Sequence, residues 1–107
     1  MSNVTSVVIV VGDSAAGTAE EVAPKVAEAV GACIPELAGD LPVISTAQDD
    51  WGFLQGGRKP GGGAIIWFGW NYAHPAELEA HLKEQGFEGV TLWTQDERGG
   101  VPRVVSW

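Results

Sequence analysis

The sequence predicts an α+β fold running strand, helix, strand, strand, helix, strand, with one further strand at the end. Three observations carry the prediction. Val7 to Val11 and Ala64 to Trp70 are apolar runs of strand length next to glycines. Val22, Val26, Ala29, Val30 and Cys33, and later Leu78 and Leu82, recur at helical spacing. Asp96-Glu97-Arg98-Gly99-Gly100 divides the last two strand-like segments as a hairpin turn would. A chain of 107 residues is expected to form a single α+β domain over residues 1–107, long enough to bury a core without metals or disulfides.

Val4 to Val11 is the first strand, apolar on both faces from residue 7 onward, as a central and doubly covered strand should be. It stops at Gly12-Asp13. A helix is expected from Thr18 to Ala32, opened by the capping box Thr18-x-x-Glu21. Pro24 conflicts with that start, because inside a helix it removes a hydrogen bond and crowds the preceding turn, so either the regular helix begins later or it is kinked. Leu41 to Thr46 is the second strand candidate, and Trp51-Gly52-Phe53-Leu54 extends it after a break. A glycine-rich connection over residues 55–63 contains the basic pair Arg58 and Lys59. Ala64 to Tyr72 is the clearest strand. His74-Pro75 then opens a helix with proline at its first position, and Gly86 ends it. Gly89 to Gln95 and Val101 to Ser106 form the terminal hairpin.

This order resembles the ferredoxin-like split βαβ sandwich. The resemblance implies two helices on one face of an antiparallel sheet, central first and third strands, and an opposite face left open. Side chains alternate along a strand, so Ile66, Phe68 and Trp70 should pack under the helices while Ile65, Trp67, Gly69 and Asn71 share the other face. By the same parity Val90 and Leu92 point inward, leaving Thr91, Trp93 and Gln95 on the side of Trp67. Two tryptophans on one open face approach the few hundred Å² of apolar patch that monomers tolerate. Either a partner covers them, or the terminal hairpin or the Trp51 segment folds across to make a second small core.

Fourteen acidic against six basic residues give a net charge of −8. Nucleic-acid affinity rests on Lys and Arg neutralising phosphates, so this balance argues against DNA, RNA or an anionic membrane as partner and suits a basic protein surface. It also serves solubility alone. The single cysteine, Cys33, forms no internal bridge, no secretory signal is recognisable, and a reducing cytoplasm is the expected compartment. No apolar run reaches the roughly 20 residues of a membrane span. A composition rich in Ala, Gly and Val suits a bacterial or phage source.

Gly63-Ala64-Ile65-Ile66-Trp67-Phe68 resembles the third-strand signature of RNA-recognition motifs, which implies stacking of bases on the open face. The basic residue that should begin the signature is missing, and the net charge opposes a phosphate backbone. Val8-Ile9-Val10-Val11-Gly12-Asp13-Ser14 resembles the nucleophile block of GDS-type serine hydrolases, which implies Ser14 as nucleophile. That family's late Asp-x-x-His pairing is absent, and neither His74 nor His81 lies where its base belongs. Asp13-Ser14 more simply turns the chain and caps a helix. Residues 12–18 have the glycine spacing of a phosphate loop, but Thr18 stands in place of the lysine and Asp13 would repel phosphate. His74 and His81, with Glu77 nearby, lack the dense ligand pattern of a metal site, so no metal and no cofactor are expected.

The expected function is therefore binding without chemistry: a small acidic interaction module that captures a basic partner protein, as inhibitors, immunity-type proteins and phage-encoded modulators do. Asp49, Asp50, Trp51, Trp67 and Trp93 are the candidate contact residues, combining acidic steering with aromatic anchors. The alternative is a homodimer through the open sheet face, resembling dimeric α+β barrel proteins. Some of these bind small molecules or are cofactor-independent enzymes, and here Asn71, Tyr72, His74 or Arg103 would be the polar groups.

Overall fold

Strand alternation lays down the core in the computed structural model, which describes residues 4–37, 43–45 and 64–107. The elements in chain order are β1 (Val4–Val11), α1 (Ala19–Cys33), a 3-10 turn (Pro35–Leu37), β2 (Val43–Ser45), β3 (Ala64–Asn71), α2 (Pro75–Glu84), β4 (Val90–Asp96) and β5 (Arg103–Ser106). All strand pairs are antiparallel, in the order β2-β3-β1-β4-β5. The protein is thus an α+β fold, an antiparallel sheet with two helices. Among the described residues no helix is long and apolar enough to cross a membrane.

β1 is the middle strand, and its odd-numbered residues are buried while Ser6, Val8 and Val10 are not. Ile9 sits opposite Ile66 on one side and Leu92 on the other; Val11 lies between Ala64 and Val90, and Val7 between Phe68 and Thr94. These rows meet Val22, Val26 and Val30 of α1 and Leu78 and Leu82 of α2 in one continuous core. Both helices therefore cover the same face and touch one another. Burying each of these aliphatic side chains is worth about 1.5–3 kcal/mol, and Ile9, Ile66, Leu78, Leu82 and Leu92 are completely enclosed.

Helix α1 begins at Ala19, as its cap dictates, and not later. Thr18 Oγ1 accepts from the Glu21 N–H at 3.3 Å, and Glu21 Oε1 accepts from the Thr18 N–H. Asp13 Oδ1 adds a 2.7 Å hydrogen bond from the Ala19 N–H. Satisfying these end groups offsets the hydrogen bond that Pro24 cannot make, and the proline ring faces solvent. Helix α2 carries Pro75 at its first position and stops before Gly86, whose φ of +82° is the left-handed turn that glycine adopts without strain.

The bounds of α1 and β4 each differ by one residue from the sequence expectation, and two further differences have a clear backbone cause. β3 ends at Asn71, because Tyr72 adopts φ +54° and turns the chain out of the sheet. β5 begins only at Arg103: Gly99 and Gly100 both take positive φ, and Pro102 has no N–H to donate, so pairing is delayed and Val101 is left 95% exposed. β5 lies beside β4 as a sheet strand, so the terminal hairpin does not fold across the opposite face.

The last residues lock the edge of the sheet to α2. Trp107 donates its indole N–H to the Phe87 carbonyl at 2.9 Å, and its backbone pairs with Val90 in both directions. Lys83 Nζ lies 5.3 Å from the centre of the Trp107 ring and 2.7 Å from Glu79, whose other oxygen accepts from Arg103. Hydrogen bonds from Lys83 and Arg103 hold the Glu79 carboxyl below its ordinary pKa. A depressed carboxylate stabilises the fold fully above the ordinary glutamate value, and that contribution disappears as the pH falls from there through the lowered one. Glu79→Gln is therefore expected to lower Tm at neutral pH, with the gap from wild type closing in that acidic window. Thermal melts of both proteins from pH 7 to pH 2.5 check this.

Candidate binding face

The register of the sheet assembles a surface on the side away from the helices. Val8 stands between Trp67 and Trp93, and Trp93 stands opposite Val104, so Trp67–Val8–Trp93–Val104 forms one row across four strands. The next row toward the Asn71 end is Gly69–Ser6–Gln95, and the row toward the Ala64 end is Ile65–Val10–Thr91–Ser106. Trp67 is 42% and Val104 58% exposed, while Trp93 is partly buried. Ser6 and Gly69, having little or no side chain, leave a cleft of about 340 Å³ beside Trp67, with Val7, Val8 and Phe68 completing it. None of these three rows contains an ionisable side chain. Glu97 marks their margin, accepting from the Val4 N–H at 3.0 Å.

The face is closed at one end. Ile65 is completely buried although it points away from the helices and lies outside the helix-side core. Thr91 and Ser106, in the same row, share a hydrogen bond at 2.9 Å. The open surface is therefore the tryptophan row and the low row beside it.

The expected acidic and aromatic contact set does not coincide on this surface. Trp67 and Trp93 share it, as strand parity predicts. Asp49, Asp50 and Trp51, and the basic pair Arg58 and Lys59, lie outside the described residues. Six of the eleven acidic residues that are placed lie on the helices, Glu20, Glu21 and Glu28 on α1 and Glu77, Glu79 and Glu84 on α2, across the sheet from the tryptophans, while Glu97 lies at the margin of the tryptophan face. Sequence reasoning did not single out Val8 and Val104, because which strand neighbours which is not written in any one segment. The register, once known, places both in the tryptophan row.

The residues singled out for chemistry serve the fold. Ser14 Oγ accepts from the Ala16 N–H at 3.3 Å and Asp13 caps α1, which is the turn-and-cap role. Arg103 binds Glu79, and β5 lies three strands from β3, roughly 14 Å away at the usual strand spacing, so Arg103 does not converge with Asn71, Tyr72 and His74. Trp70 packs edge-on against His74 with ring centres 6.5 Å apart. Burial and the nearby Glu77 carboxylate push the Cys33 thiol above its ordinary pKa, which suppresses the reactive thiolate. A second cleft, of about 310 Å³, lies between the helices at Lys25, Glu28, His81 and Gln85. His81 Nε2 is shielded from solvent there and has no hydrogen-bond partner among the described residues. Among those residues no group of three or more His, Cys, Asp or Glu is placed to hold a metal.

No protein-family model matches the chain, and neither a curated protein nor a solved structure matches it at a significant level.

The open and closed ends of the face have different energetic signatures. Ile65→Ala removes a fully enclosed side chain and is expected to cost about 2–5 kcal/mol. Trp67→Ala in dilute solution is expected to cost about 1 kcal/mol or less. Urea titrations of both variants check the order; equal losses would mean that Trp67 is as enclosed as Ile65.

Proposed function

We propose that the chain is a non-catalytic interaction module, a single α+β domain whose contact surface is the Trp67–Val8–Trp93–Val104 row. The observation that carries this reading is one row of large apolar side chains, two of them tryptophans, flanked by rows without an ionisable side chain. Interface centres have that composition: aromatics are enriched there and charged residues depleted. Structural roles for four of the candidate groups add support, since Ser14, Asp13, Arg103 and His74 take part in turns, caps, ion pairs or ring packing.

The finer architecture we propose is the ferredoxin-like split βαβ sandwich extended by β5. The order β2-β3-β1-β4 and the two helices on one face support it. The net charge of −8 makes a basic protein the natural hetero-partner, with the helical layer supplying the field that steers it in. An inhibitor, immunity-type protein or phage-encoded modulator would act in this way. A specific observation favours the second reading, a homodimer of the dimeric α+β barrel kind: the tryptophan row and the acidic helices lie on opposite sides of the sheet, so the row itself offers a basic partner no counter-charge.

A photoreactive benzoylphenylalanine placed at position 67, and separately at position 20 on the acidic helix, tests the assignment of the surface. Irradiation in extracts of the native host is expected to give a discrete adduct from position 67. Absence of any adduct from position 67, self-adducts included, would remove the tryptophan row as the contact surface.

A further inference from the structure

We infer that the C-terminal segment, β5 with Trp107, is a detachable strap: it swings away from β4 as one unit, on a hinge at Gly99 and Gly100, while the other four strands and both helices stay folded. Opening uncovers the outer edge of β4 and takes Val104 off the end of the tryptophan row. This holds whatever binds that row.

The strap is fastened from outside the core. Among the residues from Arg98 onward only Trp107 packs against the core, and it does so while partly buried. Arg103, Val104 and Ser106 are exposed and Val105 is partly buried, so β5 adds no enclosed side chain to the burial that holds the sheet and helices together. β5 pairs with β4 alone. Its side-chain ties are polar: Arg103 to Glu79, Ser106 Oγ to Thr91 Oγ1 at 2.9 Å, and the Trp107 indole N–H to the Phe87 carbonyl at 2.9 Å. Segments with few buried apolar contacts and exposed hydrogen bonds open at a lower free energy than the whole domain.

A hinge stands where the strap begins. Gly99 and Gly100 take φ of +91° and +96°, and a side chain added at either would meet nothing within 4 Å, so the backbone there turns without obstruction. Beyond them Val101 is 95% exposed and Pro102 has no N–H to give a ladder. The chain before the hinge is fixed: Glu97 donates its N–H to the Val4 carbonyl at 2.9 Å, and its side chain accepts from the Val4 N–H. A bond across the hinge, from Gln95 Nε2 to the Gly100 carbonyl at 3.2 Å, is exposed to solvent.

The hydrogen-bond pattern divides β4 residue by residue. Trp107 and Val90 exchange both backbone hydrogen bonds, so by alternation Val90, Leu92 and Thr94 turn their N–H groups toward β5. Thr91, Trp93 and Gln95 turn theirs toward β1, in step with the Glu97 N–H on the Val4 carbonyl. Release of the strap therefore frees every second amide of β4 and leaves those between them bonded. With Trp107 as the anchor at the far end and no enclosed side chain between it and the hinge, nothing holds part of the strap once that anchor lets go.

Native-state hydrogen exchange read by NMR at each amide, in a series of low urea concentrations, tests this. The amides of Val90, Leu92, Thr94, Val105 and Trp107 are expected to share one protection factor, at least about tenfold below those of Thr91, Trp93 and β1, with a weaker dependence on urea because little surface is exposed. Equal protection of Leu92 and Trp93 would mean that β5 leaves only when the whole domain unfolds, and would overturn the inference. Trp107→Ala should lower the protection of Leu92, Thr94 and Val105 by the same factor as that of Val90. A loss confined to Val90 would mean that the end of the chain frays without the strap moving as a unit, which also overturns it. So would a Trp107→Ala protein that circular dichroism shows to be unfolded, since the remaining strands and helices are expected to stand without the strap.

Discussion

The pairing of β1 with β3 and β4 is the constraint on which the rest of the structure depends. Side chains alternate with a period of two, so one register fixes the two faces of all three strands together. Setting Ile9 opposite both Ile66 and Leu92 gathers the enclosed aliphatics on the side where the helices pack. The same setting sends Val8, Trp67 and Trp93 to the other side as one row. A slip of one residue would bring Ser6 and Gly69 under the helices and expose Ile9, losing several side-chain burials at about 1.5–3 kcal/mol each.

From that register the distribution of charge follows. Each helix must turn its apolar stripe toward the sheet, so Glu20, Glu21, Glu28, Glu77 and Glu84 face solvent on the outer layer. The open face receives what the strands have left, which is tryptophan, valine and small or neutral polar residues. Glu79 is the exception among the helical acids, since Lys83 and Arg103 tie it to the edge strand and make it part of the latch that holds β5 in place. Aromatic anchoring and acidic steering are thereby separated by the thickness of the sheet.

Much of this was legible in the chain because it depends on local signals. The Thr18–Glu21 box located the start of α1, Gly86 the end of α2, and alternation put Trp67 and Trp93 on one face and Trp70 on the other. Features set by strand neighbours were not legible. That Trp67 and Trp93 flank the same valine, that Val104 extends their row, and that Ile65 is enclosed on a face expected to be open all depend on which strand lies beside which, and at what offset. Pro24 left a later start or a kink open, and the start at Ala19 is set by the cap and Asp13, which lie outside the proline's own turn. Strand length at β5 was overestimated because alternating apolar residues extend back to Val101, where paired glycines and Pro102 prevent pairing.

The row itself is the claim most worth measuring. Proton NMR on protein labelled at the valine methyls and tryptophan rings can read nuclear Overhauser contacts from Val8, and strand parity makes the result nearly binary. The structure predicts contacts from the Val8 methyls to the indole protons of both Trp67 and Trp93, and none to Val26 or Leu78. Contacts from Val8 to those helix residues would mean that β1 is shifted by one position, and the binding face described for this protein would not exist.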